Sequence, residues 1–551
     1  MTLDPVGARI MRSAAGRKLR LLLSWAFVTV ALVVVALSLR LAGPPRATPA
    51  AGDEAQALVL ALDTALQRPV EAQRGVAIRP LAPDQPSDDA AAAHAVCADV
   101  GEALVRLTAL RVVTCRSTAL AVAAALDDRS LARLLSVRYL LTGSVVVRPD
   151  DRVQVRLALV DTGSGARVWQ LDDDLALGEL QAVSAQVAEA VARTLGVAAT
   201  GSGDQPIAAP AYARYLKAQM LARQPSIEGR RAAVRLLDEV VAAEPDYVPA
   251  LLLRHSLRGW LLGNLEEARD LAAMNAARAE NVAEGLVLAR RILAQNPDDL
   301  RGQWLLLADE IERGAWAAGF ERLDTMLGSA SYDARLLRTA AQLHLHAGYL
   351  ARAEALALSA ARIDALDAAV FEVLAHVAGM HARDAQMREF AAIARQLGHE
   401  GMGRVEMMDA FRQRDWALLE RTYAGWVGWG GKWSADWVPQ WVRGVADPAQ
   451  RDAAIALLDG HDAATRQHFV SYFIEYALLG DFGRSLAAVR HHARMPPATW
   501  MQGLWWPELA PVRGDAQFVD AMADLGFVAL WEARGAPDLC ERSAAGRWQC
   551  H

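Results

Sequence analysis

Apolar positions along the chain fall into three patterns, and each predicts a different kind of structure. From Leu21 to Leu39 the run LLLSWAFVTVALVVVALSL carries no charge. Wound as a helix it reaches about 28 Å, close to the hydrocarbon thickness of a bilayer. Between positions 75 and 197 the apolar segments are short and mixed in period. From Ala211 onward strand signals vanish and helical spacing takes over nearly to the end.

In the middle region Val76-Ala77-Ile78 and Arg111-Val112-Val113-Thr114-Cys115 read as short strands. Val96, Val100, Leu104 and Leu107 recur at helical spacing, and Leu131, Leu134 and Leu135 share one side of a second helix. Tyr139–Val147 is a continuous apolar run. Val153, Val155, Leu157 and Leu159 then alternate with polar neighbours, as a half-buried strand does. Asp161-Thr162-Gly163-Ser164-Gly165 turns the chain into a strand over Ala166–Gln170. Asp172-Asp173-Asp174 reads as a solvated turn that opens a last amphipathic helix with Leu180, Val183, Val187, Val191 and Leu195. The predicted order is β-α-β-α-β-β-β-α, one small α/β domain ending in a meander.

The helical region has an internal period. The interval from Gly314 to Gly348 equals that from Ser331 to Ala365 and that from Pro297 to Ser331. It is the length of one tetratricopeptide unit, about 34 residues. Ala243-Glu244-Pro245-Asp246 resembles Gln295-Asn296-Pro297-Asp298 but lies upstream of it by more than one period, so that interval holds an insertion or a degenerate extra helix. The pattern resembles tetratricopeptide repeats, clearly over 210–400 and loosely over 400–525. An array of this kind stacks helix pairs into a solenoid whose concave face holds a peptide or partner protein. A helical bundle without true repeats is the plainer alternative.

Charge sets the orientation of the apolar run. Arg9, Arg12, Arg17, Lys18 and Arg20 precede it against the single acid Asp4, so the N-terminus is expected in the cytoplasm and the chain beyond about position 42 outside. A cleaved signal peptide shares this order, but its apolar region is shorter, and the exit Arg40–Pro45 lacks a good small-x-small site. The expected layout is a basic tail (1–20), a transmembrane helix (21–41), a tether (42–74), the α/β domain (75–197), a linker (198–210), repeats (211–525) and a cysteine-containing tail (526–551). The net charge of −6 argues against a nucleic-acid surface. Cys97, Cys115, Cys540 and Cys550 all fall on the predicted outer side, where an even count fits two disulfides. Three pairings are open; Cys97–Cys115 and Cys540–Cys550 close the shortest loops, and free buried thiols are the alternative.

Signs of chemistry are sparse. His344-Leu345-His346 and His491-His492 lack metal-ligand spacing and read as surface or packing histidines. Gly163-Ser164-Gly165 is not a nucleophile elbow, and no phosphate-binding loop occurs. No catalytic, metal or cofactor residues are therefore assigned. The conspicuous feature is aromatic: Trp416, Trp426, Trp429, Trp433, Trp437 and Trp441 crowd one short stretch. Trp426, Trp429, Trp433, Trp437 and Trp441 could form a binding platform along one helix face, interrupted by Gly430-Gly431 and Pro439. The alternative is packing between consecutive helices.

Two stretches resemble a known family. The strand Arg111–Cys115, the helix before Tyr139, the Gly143-Ser144-Val145 step and the Asp161-x-Gly163-x-Gly165 turn ahead of Trp169 resemble the TolB amino-terminal-like domain. The version in question occurs in membrane-integrated transcriptional regulators and adenylate-cyclase-like bacterial proteins. The tail resembles theirs as well, through Leu525-Gly526, Trp531, Pro537-Asp538-Leu539-Cys540 and Cys550. The resemblance implies a non-catalytic interaction or sensing domain outside the membrane. The stretch before Leu21 is too short for the family's winged-helix or cyclase domain, so neither output activity is expected. The expectation is a mainly α, membrane-anchored periplasmic scaffold or sensor on a bacterial inner membrane, without cofactors, binding protein partners through its repeats. A signalling component acting through a transmembrane partner and an envelope enzyme are the alternatives.

Overall fold

The computed structural model describes residues 75–551, apart from 82–87, 106, 108–109, 116, 120–126, 149–151, 198–205, 224–225, 265–270, 330–332, 400, 428–433, 466–471 and 494–500. The apolar run Leu21–Leu39 and the tether lie outside the described residues. Among the described residues no helix is long and apolar enough to cross a membrane.

The α/β domain follows the predicted order: β1 (Gly75–Ile78), α1 (Asp88–Val105), β2 (Arg111–Val113), α2 (Asp128–Leu135), β3 (Tyr139–Val147), β4 (Arg152–Asp161), β5 (Arg167–Ala176) and α3 (Leu180–Leu195). The sheet order is β2-β1-β3-β4-β5, with β1 parallel to both its neighbours and β3-β4-β5 antiparallel. The interior strand β1 is buried along its whole length, as a parallel strand covered on both faces must be. Val76, Ile78, Leu141, Val153, Val155 and Leu157 join α1 and α3 in one cluster, whereas Ala77, Val113 and Leu140 turn to α2 on the other face. Asp161 holds the β4–β5 turn: its carboxylate accepts the Gly163 amide at 2.9 Å and the Arg138 guanidinium at 2.9 Å. The Arg138 bond holds its pKa below the usual carboxylate value.

Asp172-Asp173-Asp174 corrects the sequence reading, because these residues lie within β5 and not in a turn. Asp172 stands across from Arg156 and bonds it at 3.3 Å, while Asp174 bonds Arg152 at 3.0 Å and Arg148 at 3.1 Å. Cross-strand arginines offset the low strand preference of three successive aspartates.

The helices then run α4 (Ala209–Arg223), α5 (Ile227–Ala243), α6 (Val248–Asn264), α7 (Leu271–Gln295), α8 (Leu300–Glu312), α9 (Trp316–Ser329), α10 (Ala334–His346), α11 (Leu350–Ile363), α12 (Ala368–Met380), α13 (Asp384–Gln396), α14 (Gly403–Gln413), α15 (Trp416–Val427), α16 (Val438–Ala446), α17 (Arg451–Thr465), α18 (Phe473–Leu478) and α19 (Phe482–Ala493). The domain's buried cluster continues through Tyr212, Leu237 and Tyr247, so α4 and α5 pack on the sheet domain across the predicted linker.

Three hairpins, α8/α9, α10/α11 and α12/α13, keep one strict register at both helix starts. Asp299, Asp333 and Asp367 cap the first helix of each pair through their side chains, at that same interval. Gly314, Gly348 and Ala382 repeat it in the left-handed position between paired helices. The longer interval upstream is filled by α6 and by α7, whose 25 residues exceed the 14 of α9 or α11.

The tail holds α20 (Ala510–Arg513), α21 (Ala516–Asp524), α22 (Phe527–Arg534) and the hairpin of β6 (Cys540–Arg542) and β7 (Trp548–Cys550). Disulfides join Cys97 to Cys115 and Cys540 to Cys550, the latter directly across the hairpin. Gly526 opens α22 at φ +84°, where an added Cβ would meet the Gly314 carbonyl oxygen at 2.0 Å. Gly546 has a similar φ of +75° with nothing within 4 Å. Gly546→Ala is therefore expected to cost about 1 kcal/mol, from backbone strain alone. Gly526→Ala should cost at least about 2 kcal/mol more, because the tail must lift off the repeat. Urea denaturation of the two variants compares them directly, and equal losses would refute this docking.

Candidate functional site

A repeat solenoid is expected to offer its partner a groove, but much of this one is already filled. Every residue of α12 from Val370 to Met380 except Glu372 is buried. The covering material comes from residues 501–551, the tail together with the turns of Met501–Trp505 and Pro507–Leu509 that lead into it. The Trp505 indole donates to the His346 carbonyl at 3.0 Å, and the Trp531 indole donates to the Ala347 carbonyl at 3.2 Å. The Asp538 amide donates to the Gly348 carbonyl at 3.1 Å, and the Tyr349 hydroxyl to the Gly535 carbonyl at 2.9 Å. Trp506 lies against Gly379 and edge-on to His376 at 5.9 Å. Arg412 bonds Asp384 and Glu508, each at 2.6 Å, and donates to the Gly379 carbonyl at 3.0 Å. Within the tail, Arg513 donates to the Leu504, Trp506 and His551 carbonyls, and burial pushes its pKa down to about 10.

The histidines belong to the same packing. His344 and His376 are buried and His346 is half-buried with its Nδ1 enclosed, and desolvation lowers each pKa to about 4. His344 bonds the Ala340 carbonyl through Nδ1 at 2.8 Å. His399 is the exception: its contact with Glu372 at 2.9 Å raises its pKa. Among the described residues no group of three or more His, Cys, Asp or Glu is arranged to hold a metal.

The tryptophan cluster divides. Trp437 and Trp441 are 2% and 0% exposed and offer a ligand no surface. Trp426 is 38% exposed, stacked on Tyr423 under the Arg404 guanidinium. Trp429 and Trp433 lie outside the described residues. No single helix carries the set: Trp426 ends α15, Trp437 precedes α16, and Pro439 opens that helix where a proline is tolerated. The pocket these rings close around holds Glu475, 1% exposed, which accepts from the Tyr423 hydroxyl and from Arg404 at 3.1 Å. The Trp441 indole donates to the Glu475 carbonyl at 3.2 Å. Glu475, Tyr423 and Arg404 went unnoticed in the sequence because they come from separate helices with no shared spacing. The pair is incompletely satisfied: Tyr423 and Arg404 both bond Oε1, while Glu475 Oε2 is buried and, among the described residues, accepts no hydrogen bond.

Open surface lies earlier in the array. α8 buries only Gly302, Leu307 and Asp309, in contrast to α12. Trp260 is 37% exposed with Arg230 stacked on it at 3.5 Å, and Val287 is 62% exposed. Between α5, α6 and α7 lies a cleft of about 260 Å³ with walls from Val234, Leu261, Leu262 and Ala277. Arg258, bonded to Glu284 at 2.8 Å, Glu280 and Asn281 provide its polar positions. This is an apolar hollow with a charged lip.

No family model matches the chain, and no match is found among curated proteins. Among solved structures, the crystal structure of the APC/C hetero-tetramer Cut9-Hcn1 is similar at 12% identity, over 65% of this chain and 83% of that chain. The TM-score is 0.27, a superposition too loose to carry an argument about fold or function.

The buried histidines make stability depend on acidity. Unfolded, each takes up its proton near pH 6.5; folded, only near pH 4. The unfolded chain therefore holds the extra protons in that window, and stability falls as pH drops through it, by on the order of 1 kcal/mol per pH unit per histidine. Asp364, raised to about 6 by burial, acts with the opposite sign between about 4 and 6, since there the folded chain holds the proton. Three groups outweigh one, so urea melts should show lower stability at pH 5 than at 6.5. The double variant His346→Gln with His376→Gln should flatten that slope; an unchanged slope would rule out these two histidines as its source.

Proposed function

We propose that the chain is a non-catalytic protein-interaction scaffold, anchored in a bacterial inner membrane by Leu21–Leu39 with its bulk in the periplasm. The observation that carries this reading is the constant register of capped hairpins, in which aspartate caps and left-handed turn positions recur together. Repeats of this kind recognise partners by surface and carry no reaction of their own. The buried ionisable groups described above are engaged in packing, which leaves recognition to exposed side chains. Because the tail covers the ends of α10, α12 and α14 and meets the α8–α9 turn at Gly314, the partner surface is the part of α6 to α8 that stays uncovered, around Trp260, Arg258 and Val287. Two cysteine pairs fit an oxidising compartment, which supports the periplasmic placement.

Cross-linking a tagged full-length chain in intact cells, followed by mass spectrometry, tests the scaffold reading. One dominant protein should be recovered with cross-links to α6–α8. The double variant Trp260→Ala with Val287→Glu should reduce its recovery by about tenfold or more, as loss of an exposed aromatic anchor does. Undiminished recovery with an unchanged melting temperature would place the partner surface elsewhere. Alkaline carbonate extraction tests the anchor, and release into the soluble fraction would overturn it.

A further inference from the structure

Among the described residues β5 forms one edge of the five-stranded sheet and pairs with β4 alone. Its ten residues extend for about 33 Å. Two bonds show which peptide groups face away from β4. The Ala176 amide donates to the Glu179 carboxylate at 2.8 Å, and the Asp174 carbonyl accepts from the Arg152 guanidinium. The two-residue period of a strand turns the peptide groups of Gln170 and Asp172 the same way. Among the described residues these have no partner, so they form an open row of donors and acceptors.

The side chains along this edge form two unlike rows. On the outer face Asp172 and Asp174 are matched by Arg156, Arg152 and Arg148 of the domain itself. On the helix-bearing face Trp169, Leu171, Asp173 and Leu175 stand opposite Leu159, Leu157, Val155 and Val153. Trp169, Leu171 and Leu175 pack against the buried cluster. Asp173 is thus a carboxylate in an otherwise apolar row, and among the described residues it has no ion pair.

We propose that β5 accepts an extended segment of a partner protein as a sixth strand, one whose side chains on the helix-bearing face read apolar, basic, apolar. The two apolar groups lie beside Leu171 and Leu175, and the cation meets Asp173. Backbone pairing supplies the affinity and the alternate side chains the specificity. An entirely apolar strand would bury Asp173 unpaired, which disfavours it. A second copy of β5 would bring another group of aspartates to the same edge, so charge favours a basic strand over self-pairing. This site takes from the scaffold reading only that the partner is a protein, and its surface is separate from α6–α8.

The test uses the purified full-length chain and a fluorescein-labelled peptide, Thr-Val-Thr-Lys-Thr-Val-Thr, followed by anisotropy. Saturable binding is expected, weakened about tenfold or more when the lysine becomes glutamate. N-methylation of the third and fifth peptide amides, which face β5, should abolish it. Asp173→Lys should reverse the preference toward the glutamate peptide; if that variant fails to fold, the three peptides on the wild-type chain decide alone. No saturation up to about 1 mM, equal binding of the N-methylated peptide, or an unreversed preference in a folded variant would overturn the proposal. Sedimentation showing a dimer that Gln170→Pro dissolves would also overturn it, by placing a second copy on the edge. Peptide binding is independent of Trp260 and Val287, so failure here and failure of the repeat surface are separately visible.

Discussion

A helix leaves its last carbonyl groups without partners inside the helix, and in this chain those orphan acceptors organise the fold. At the end of α10 the carbonyls of His346, Ala347 and Gly348 are met by Trp505, Trp531 and the Asp538 amide, and at the end of α12 Arg412 adds a second donor to the Gly379 carbonyl, which already accepts the Ala382 amide at 3.0 Å. The first three of these donors come from the tail, far later in the chain than the carbonyls they meet. The indoles suit the role because each brings one N–H donor on a large apolar body. They satisfy a polar group and fill the space beside it in the same contact.

The position of the tail decides which part of the array is available to other molecules. Where it lies, α12 is buried almost throughout, and burial lowers the pKa of its one histidine, His376, to about 4. Away from it, the α5–α7 cleft is open, with Trp260 and Val287 exposed, and the tail reaches α8 only at the Gly314 turn. Burial and exposure thereby fall on different hairpins of one repeating plan. The sheet domain shows a similar division, with β1 enclosed and β5 presenting its backbone.

Elements dominated by local pattern were legible in the sequence. The β-α-β-α-β-β-β-α order follows from period and turn residues, and the interval between Gly314 and Gly348 reappears as a hairpin register. Asp299, Asp333 and Asp367 were equally visible at that spacing, though only the caps they make reveal their purpose. Asp172-Asp173-Asp174 misled because composition suggested a turn, while arginines on β4 hold those residues in a strand. The tryptophan run left two readings open in the sequence, a platform or packing between helices; Trp437 and Trp441 are packed, while Trp426 belongs to another helix and is partly exposed.

What the sequence by itself determined is every feature whose cause lies within a few neighbouring residues: helix caps, left-handed turn positions, hairpins and the alternation of β4. Only the tertiary structure decided which of those surfaces remain free. That choice depends on residues such as Glu475 with Tyr423, or Trp531 with Ala347, whose contacts span 52 and 184 residues. Chain periodicity carries no trace of such contacts, because they are set by the path of the backbone between helices and not by the spacing within them.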